Sequence, residues 1–156
     1  MKKLPIKWFA VFSLSLLVVS CTGCSTIRKA YWDHKVKELC LKDAGVTVYE
    51  KVGMRKEEYD KFRLLDFDKN DPSQKYYTVS NDTYLKKDKG LDGMWVKKYE
   101  EVAIRKSDTK VLGNRVSFGR RGGDSIIFSW MHPSSFGCHS MGIRQDLQQS
   151  IFYSEE

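Results

Sequence analysis

Residues 8–19, WFAVFSLSLLVV, are apolar except for Ser13 and Ser15. They follow Lys2, Lys3 and Lys7 and run directly into Ser20-Cys21-Thr22-Gly23-Cys24. No other feature constrains the fold as strongly, because it sets the compartment in which the remaining cysteines find themselves. A helix that spans a bilayer needs about 20 predominantly apolar residues. This stretch has about a dozen before small polar residues end it, and its flanks are those of a leader peptide. Residues 1–20 are therefore expected to be removed, and the folding unit is 21–156.

Val18-Val19-Ser20 ahead of Cys21 resembles a bacterial lipobox. The resemblance implies cleavage before Cys21, a diacylglycerol on its thiol, and a fatty-acyl (palmitate-type) chain on the new N-terminus. Each buried methylene contributes about 0.8 kcal/mol, so two or three chains hold a protein at a membrane where one is marginal. Cys24 is the alternative acceptor, since Gly23 is the better small residue before a cut, and its use would leave Cys40 and Cys138 as an even pair. The contiguous apolar lead-in favours Cys21. Either choice removes the C-x-x-C reading, because an acylated thiol neither ligates zinc nor exchanges disulfides. By analogy with lipoprotein sorting, Thr22 in place of aspartate after the lipid cysteine implies the outer membrane of the cell envelope, on its periplasmic side.

The formal net charge of +7 includes Lys2, Lys3 and Lys7, so the chain after the leader stands three lower, at +4. Its acids and bases are interspersed without a long block of one sign, as on an ordinary soluble surface. Nucleic acid is not an expected partner, because the compartment rarely offers it and no recognition motif is present. Residues 21–156 suffice for one core and one domain. Residues 21–156 hold eight Tyr, six Phe and three Trp, plentiful for that length, and such side chains serve either a small sheet core or a recognition surface.

The pattern predicts an α+β fold in which an N-terminal amphipathic helix packs on a small antiparallel sheet. In IRKAYWDHKVKELCLKDAG, Trp32, Val36, Leu39 and Cys40 recur at helical spacing, predicting a helix over about 26–43 closed by Gly45 in a left-handed conformation. VTVYEKV, 46–52, alternates as a strand; RKEEYDKF, 55–62, reads as a short surface helix; 66–82 reads as a loop followed by a strand over 76–79. Residues 96–121 predict a β-hairpin turning at Ser107-Asp108-Thr109-Lys110, with Tyr99, Val102 and Ile104 facing Val111, Val116 and Phe118 on its buried side. The glycines at 122 and 123 mark a turn, followed by a short strand and a proline-bearing loop, and QSIFY reads as a closing strand.

Four groups of residues bear on chemistry. In an oxidising compartment Cys40 and Cys138 are expected to pair, the alternative being two buried thiols. Arg120-Arg121-Gly122-Gly123-Asp124 offers fork-shaped donors beside glycine amides, an arrangement that suits an anion and equally suits a tight turn in which the arginines pair with Asp124. His132, Ser134, Ser135 and His139 lie close in sequence, but nucleophilic catalysis requires a base in reach of a hydroxyl and a group to orient it. G-x-S-x-G does not occur, and after Pro133 the serines read as turn residues. Zinc at His132, Cys138 and His139 is disfavoured, because ligands adjacent in sequence seldom converge on one ion and Cys138 is needed for the disulfide. No metal or cofactor is expected.

LCLKDAGVTVYEKV, IRKSDTKVLGNRVSFGRRGGD and HPSSFGC, in that order over residues 36 to 138, resemble a family of small bacterial lipoproteins without an assigned activity. The resemblance places Cys40, Tyr49, Glu50, Arg105, Asp108 and Gly113 at signature positions. Arg120, Gly122, Gly123, Asp124, His132 through Phe136, and Cys138 complete the set. The sequence departs from the pattern at Ala44, at residues 129–131 and at His139. The family implies the fold and the address and supplies no reaction. The expected function is that of a membrane-anchored, non-enzymatic binding module with a protein partner in the envelope. The alternatives are a small periplasmic hydrolase or ligand-binding lipoprotein built on Arg120, Asp124, His132, Ser134 and Ser135, and a prophage lipoprotein acting in phage exclusion or lysis.

Overall fold

The computed structural model describes residues 27–62, 69–89, 93–124, 134–143 and 146–155. Residues 27–42 form helix α1. Its apolar positions 32, 36, 39 and 40 follow helical periodicity, and Val36 and Cys40 are both buried. The other side is charged and carries a Lys35–Glu38 contact of 2.8 Å. Residue 26, the expected start of the helix, lies outside the described residues. The end of α1 is made by the amides of Asp43 and Ala44, which both donate to Leu39 O at 2.8 and 3.1 Å. Gly45 is not the left-handed cap expected there: it is the first residue of β1 and is not among the positive-φ glycines.

Strand β1 (Gly45–Val48) is followed by β2 (Val52–Arg55), α2 (Lys56–Phe62), β3 (Tyr76–Lys87), β4 (Trp95–Arg105) and β5 (Val111–Arg121). After β5 come β6 (Ser135–Gly137), a 3-10 turn at Cys138–Met141, α3 (Leu147–Ile151) and β7 (Phe152–Glu155). The main sheet has the order β1-β5-β4-β3 with β6 also on β5. All its pairings are antiparallel, with β1 opposite Gly113–Val116 and β6 opposite Gly119–Arg121 on one edge of β5. A second, two-stranded sheet pairs β2 with β7 in parallel.

The β4–β5 hairpin forms over the expected segment. Arg105 N donates to Lys110 O at 3.0 Å, and the Asp108 carboxylate accepts from the Arg105 guanidinium at 2.9 and 3.0 Å. The expected 46–52 strand is instead two strands in different sheets. At the break, the amides of Tyr49 and Glu50 both reach Leu112 O, while the Glu50 carboxylate is held by Arg105 at 2.7 Å and Lys110 at 2.6 Å. Strand β3 runs well past Val79, because Asn81 and Asp82 pair with Glu100 and Tyr99 along the sheet edge, where polar side chains face water. In the last segment, QSIFY is not one strand. Asp146 caps α3 by accepting from the amides of Gln148 and Gln149, and only from Phe152 does the chain extend.

The buried hydrophobic residues form two clusters. Val36 and Cys40 of α1 pack with Val96, Phe118 and Cys138, and Trp32, Val116 and Phe136 border them. Met54, Ala103, Leu112, Leu147, Ile151 and Phe152 form the other cluster, with Tyr59, Phe62 and Tyr76 against it. The hairpin side chains therefore sort differently from the expected grouping. Tyr99 lies on the face opposite Val102 and Ile104, because side chains alternate with a period of two, and Val111 is exposed. The apolar side chains fully or nearly buried on these strands are Val96, Ala103, Leu112 and Phe118.

Candidate functional site

The turn after β5 needs its two glycines. Gly122 and Gly123 have φ of 80° and 84°, a left-handed conformation costly for other residues, and a Cβ on Gly123 would stand 3.0 Å from Met94 Sδ. That turn brings Arg120, Asp124 and Ser134 together. The Arg120 side chain is 1% exposed; its Nε donates to Asp33 Oδ1 of α1 at 2.5 Å, and its Nη1 donates to Gly122 O. Both Nη atoms also reach Ser134 Oγ at 3.4 Å. Asp124 accepts from Ser134 N at 2.6 Å, from Ser134 Oγ at 2.7 Å and from Lys29 Nζ at 2.7 Å. The chain Asp33–Arg120–Ser134–Asp124–Lys29 joins α1 at two points to the turn and to the approach to β6.

Burial works to raise the Asp124 pKa, but hydrogen bonds from Lys29 and from the hydroxyl and amide of Ser134 outweigh it and hold the carboxyl at about 2. Its folded value lies below the ordinary 3.8, so the unfolded chain takes up the proton first. The ionised contact stabilises the fold above the ordinary value, and that contribution is lost as pH falls through the window from 3.8 toward 2. Asp124→Asn is expected to unfold at lower urea than the wild type at pH 6, with the gap narrowing by pH 2.5. Urea midpoints at the two pH values measure this; a gap that does not change with pH would contradict it.

The other candidate residues are placed as follows. Arg121 and Ser135 are exposed and opposite one another in the β5–β6 register. His132 lies outside the described residues, as do Cys21 and Cys24. The expected pairing of Cys40 with Cys138 is present, with Cα atoms 5.3 Å apart. Among the described residues no cluster of three or more His, Cys, Asp or Glu is placed to hold a metal ion. A cleft of about 550 Å³ opens between β5, the 3-10 turn and the start of α3. Glu101, Arg115, Ser117 and His139 are among its lining residues, and none of Arg120, Arg121, Asp124, Ser134 and Ser135 is.

A surface that the sequence reading did not single out adjoins this cleft. On the sheet face bearing the cleft, strand register sets side chains in rows across β3, β4 and β5. Lys87, Trp95 and Arg121 form one row; Tyr84, Lys97 and Gly119 the next; then Asp82, Tyr99 and Ser117; then Ser80, Glu101 and Arg115. Lys97 Nζ stands 4.6 Å from the Tyr84 ring centroid, 5.2 Å from that of Trp95 and 6.0 Å from that of Tyr99. It also binds Asp82 at 3.1 Å, which leads the causes that raise its pKa. Tyr84 and Trp95 meet edge to face at 6.4 Å. None of these rings belongs to either buried cluster. Compared with known proteins, the chain matches no family model, no curated protein and no solved structure.

Proposed function

We propose that this chain is a bacterial lipoprotein held to the cell envelope through Cys21, on the periplasmic side of the outer membrane, and that its domain is a non-enzymatic binding module. The observation that carries the binding role is the aromatic strip on the sheet. Tyr84 is 46% exposed in the folded chain, and such rings, placed outside the core, cost solvation that a ligand would recover. The side chains nominated for catalysis favour the same reading. Ser134 Oγ is bonded to Asp124, and Arg120 is enclosed by Asp33, Gly122 and Ser134, so both are engaged in holding the turn.

In this reading α1 is the amphipathic N-terminal helix that rests on the sheet and links the anchor to the domain. Only two to five residues separate the candidate lipid cysteines from residue 27, so the domain sits close to the bilayer. The leader-like segment, the lipobox-like Val-Val-Ser-Cys and the resemblance of three motifs to small bacterial lipoproteins support the address.

Fractionation of cells expressing the full chain tests the anchor, and crosslinking in intact cells tests the binding role. Wild type is expected in the membrane fraction with an acylated N-terminal cysteine, and Cys21→Ser is expected to lose that modification. Release by Cys24→Ser alone would move the anchor to Cys24. A wild-type chain recovered from the cytosol with its leader intact would sink the proposal.

A further inference from the structure

We propose that the strip on β3, β4 and β5 binds a carbohydrate chain that bears carboxylate groups. This deepens the binding-module reading and rests on it. Strand geometry spaces successive rows by about 7 Å, and rings and charged groups alternate along that spacing. A pyranose presents the same alternation, with an apolar C–H face that stacks on an aromatic ring and a rim of hydroxyls that needs donors and acceptors together. The pairs Lys97–Asp82 and Arg115–Glu101 supply both kinds of group side by side, at 3.1 and 2.9 Å.

Charge selects among polymers. At one end of the strip Trp95 lies between Lys87 and Arg121 across neighbouring strands. Lys87 stands 4.8 Å from the Tyr84 ring centroid, and both cations are exposed. These two positive groups beside stacking rings suit a sugar carboxylate. Asp82 and Glu101 within the same strip disfavour a nucleic acid strand, whose binding depends on many cations along a backbone charged at every residue. A protein interface concentrates apolar side chains at its centre, whereas here a charged group stands in every row.

The test is titration of the full-length protein in detergent, followed by tryptophan fluorescence, with a hyaluronate hexasaccharide, the uncharged N-acetylglucosamine hexamer and a hexadeoxynucleotide. Saturable binding of hyaluronate, tighter than that of the uncharged hexamer, is expected. Tyr84→Ala should weaken both sugars about tenfold, as truncation of an aromatic anchor does. Lys87→Gln with Arg121→Gln should remove the preference for the charged sugar and leave the uncharged one unchanged. These positions are exposed; an unaltered circular dichroism spectrum and urea midpoint will show that the variants fold. Three results overturn the inference: no binding of either sugar at millimolar concentration, tighter binding of the oligonucleotide, or sugar binding indifferent to the variants. If sugar binding fails while the acylated chain still enters the envelope and crosslinks to a protein there, the carbohydrate inference alone falls.

Discussion

Replacing Cys40 and Cys138 by alanine is expected to lower stability by about 3–5 kcal/mol, which for a domain of this size is roughly 10–20 °C in Tm. The bond closes a loop across 98 positions of sequence, and in the chain-entropy account a loop of that length is worth about 4.7 kcal/mol. Both sulfurs belong to the cluster of Val36, Val96 and Phe118, and each cysteine is only 2% exposed. Cys138 Sγ also accepts from the amide of Phe118 at 3.3 Å. Loss of the bridge therefore releases the end of α1 from the sheet and opens the start of the 3-10 turn together. Serine replacements should cost more than alanine, because they leave two hydroxyls in an apolar site. Urea unfolding of wild type and variants, with Cys24→Ser in every arm to exclude thiol exchange, measures the effect. Coincident midpoints would show that the two ends are held together by packing alone.

The disulfide was legible because it follows from the expected compartment and from the number of cysteines, which need no geometry. The hairpin was legible for a similar reason: two alternating runs around a polar turn define a local pairing. What failed was the assignment of faces. In WVKKYEEVAIR, strict alternation puts Trp95, Lys97, Tyr99 and Glu101 on one side and Val96 and Val102 on the other. Grouping Tyr99 with Val102 by hydrophobicity alone hid the aromatic strip, although the period-two signal that reveals it is present in those eleven residues. The strand over 76–79 was read too short because the polar SNDT that continues β3 looks the same whether such residues bend a chain or face water on a sheet edge. β6 was missed because its partner is 14 positions away at the nearest pair, and Gly137 is required there by the close approach of Phe118 O rather than by a turn. At Arg120-Arg121-Gly122-Gly123-Asp124 the glycine turn was readable. The acid that pairs with Arg120 was not, since Asp33 is 87 residues distant and on another element.

That long-range pair carries the second large expectation, in which the smaller change to the chain has the larger effect. Asp33→Ala should cost about 3 kcal/mol, because it leaves a guanidinium buried with only neutral partners at Gly122 and Ser134, and an uncompensated buried charge is severely destabilising. Arg120→Met should cost only about 1–2 kcal/mol. It keeps the volume and the apolar stem, and it leaves behind Asp33, whose side chain is 29% exposed and so regains water. The double variant should resemble Arg120→Met, since removing the acid matters only while the buried cation is present. A double-mutant cycle in urea measures the coupling. Equal and additive single effects would mean that the two groups are solvated independently. In that case the turn after β5 would be held by its glycines and by Asp124 without Arg120.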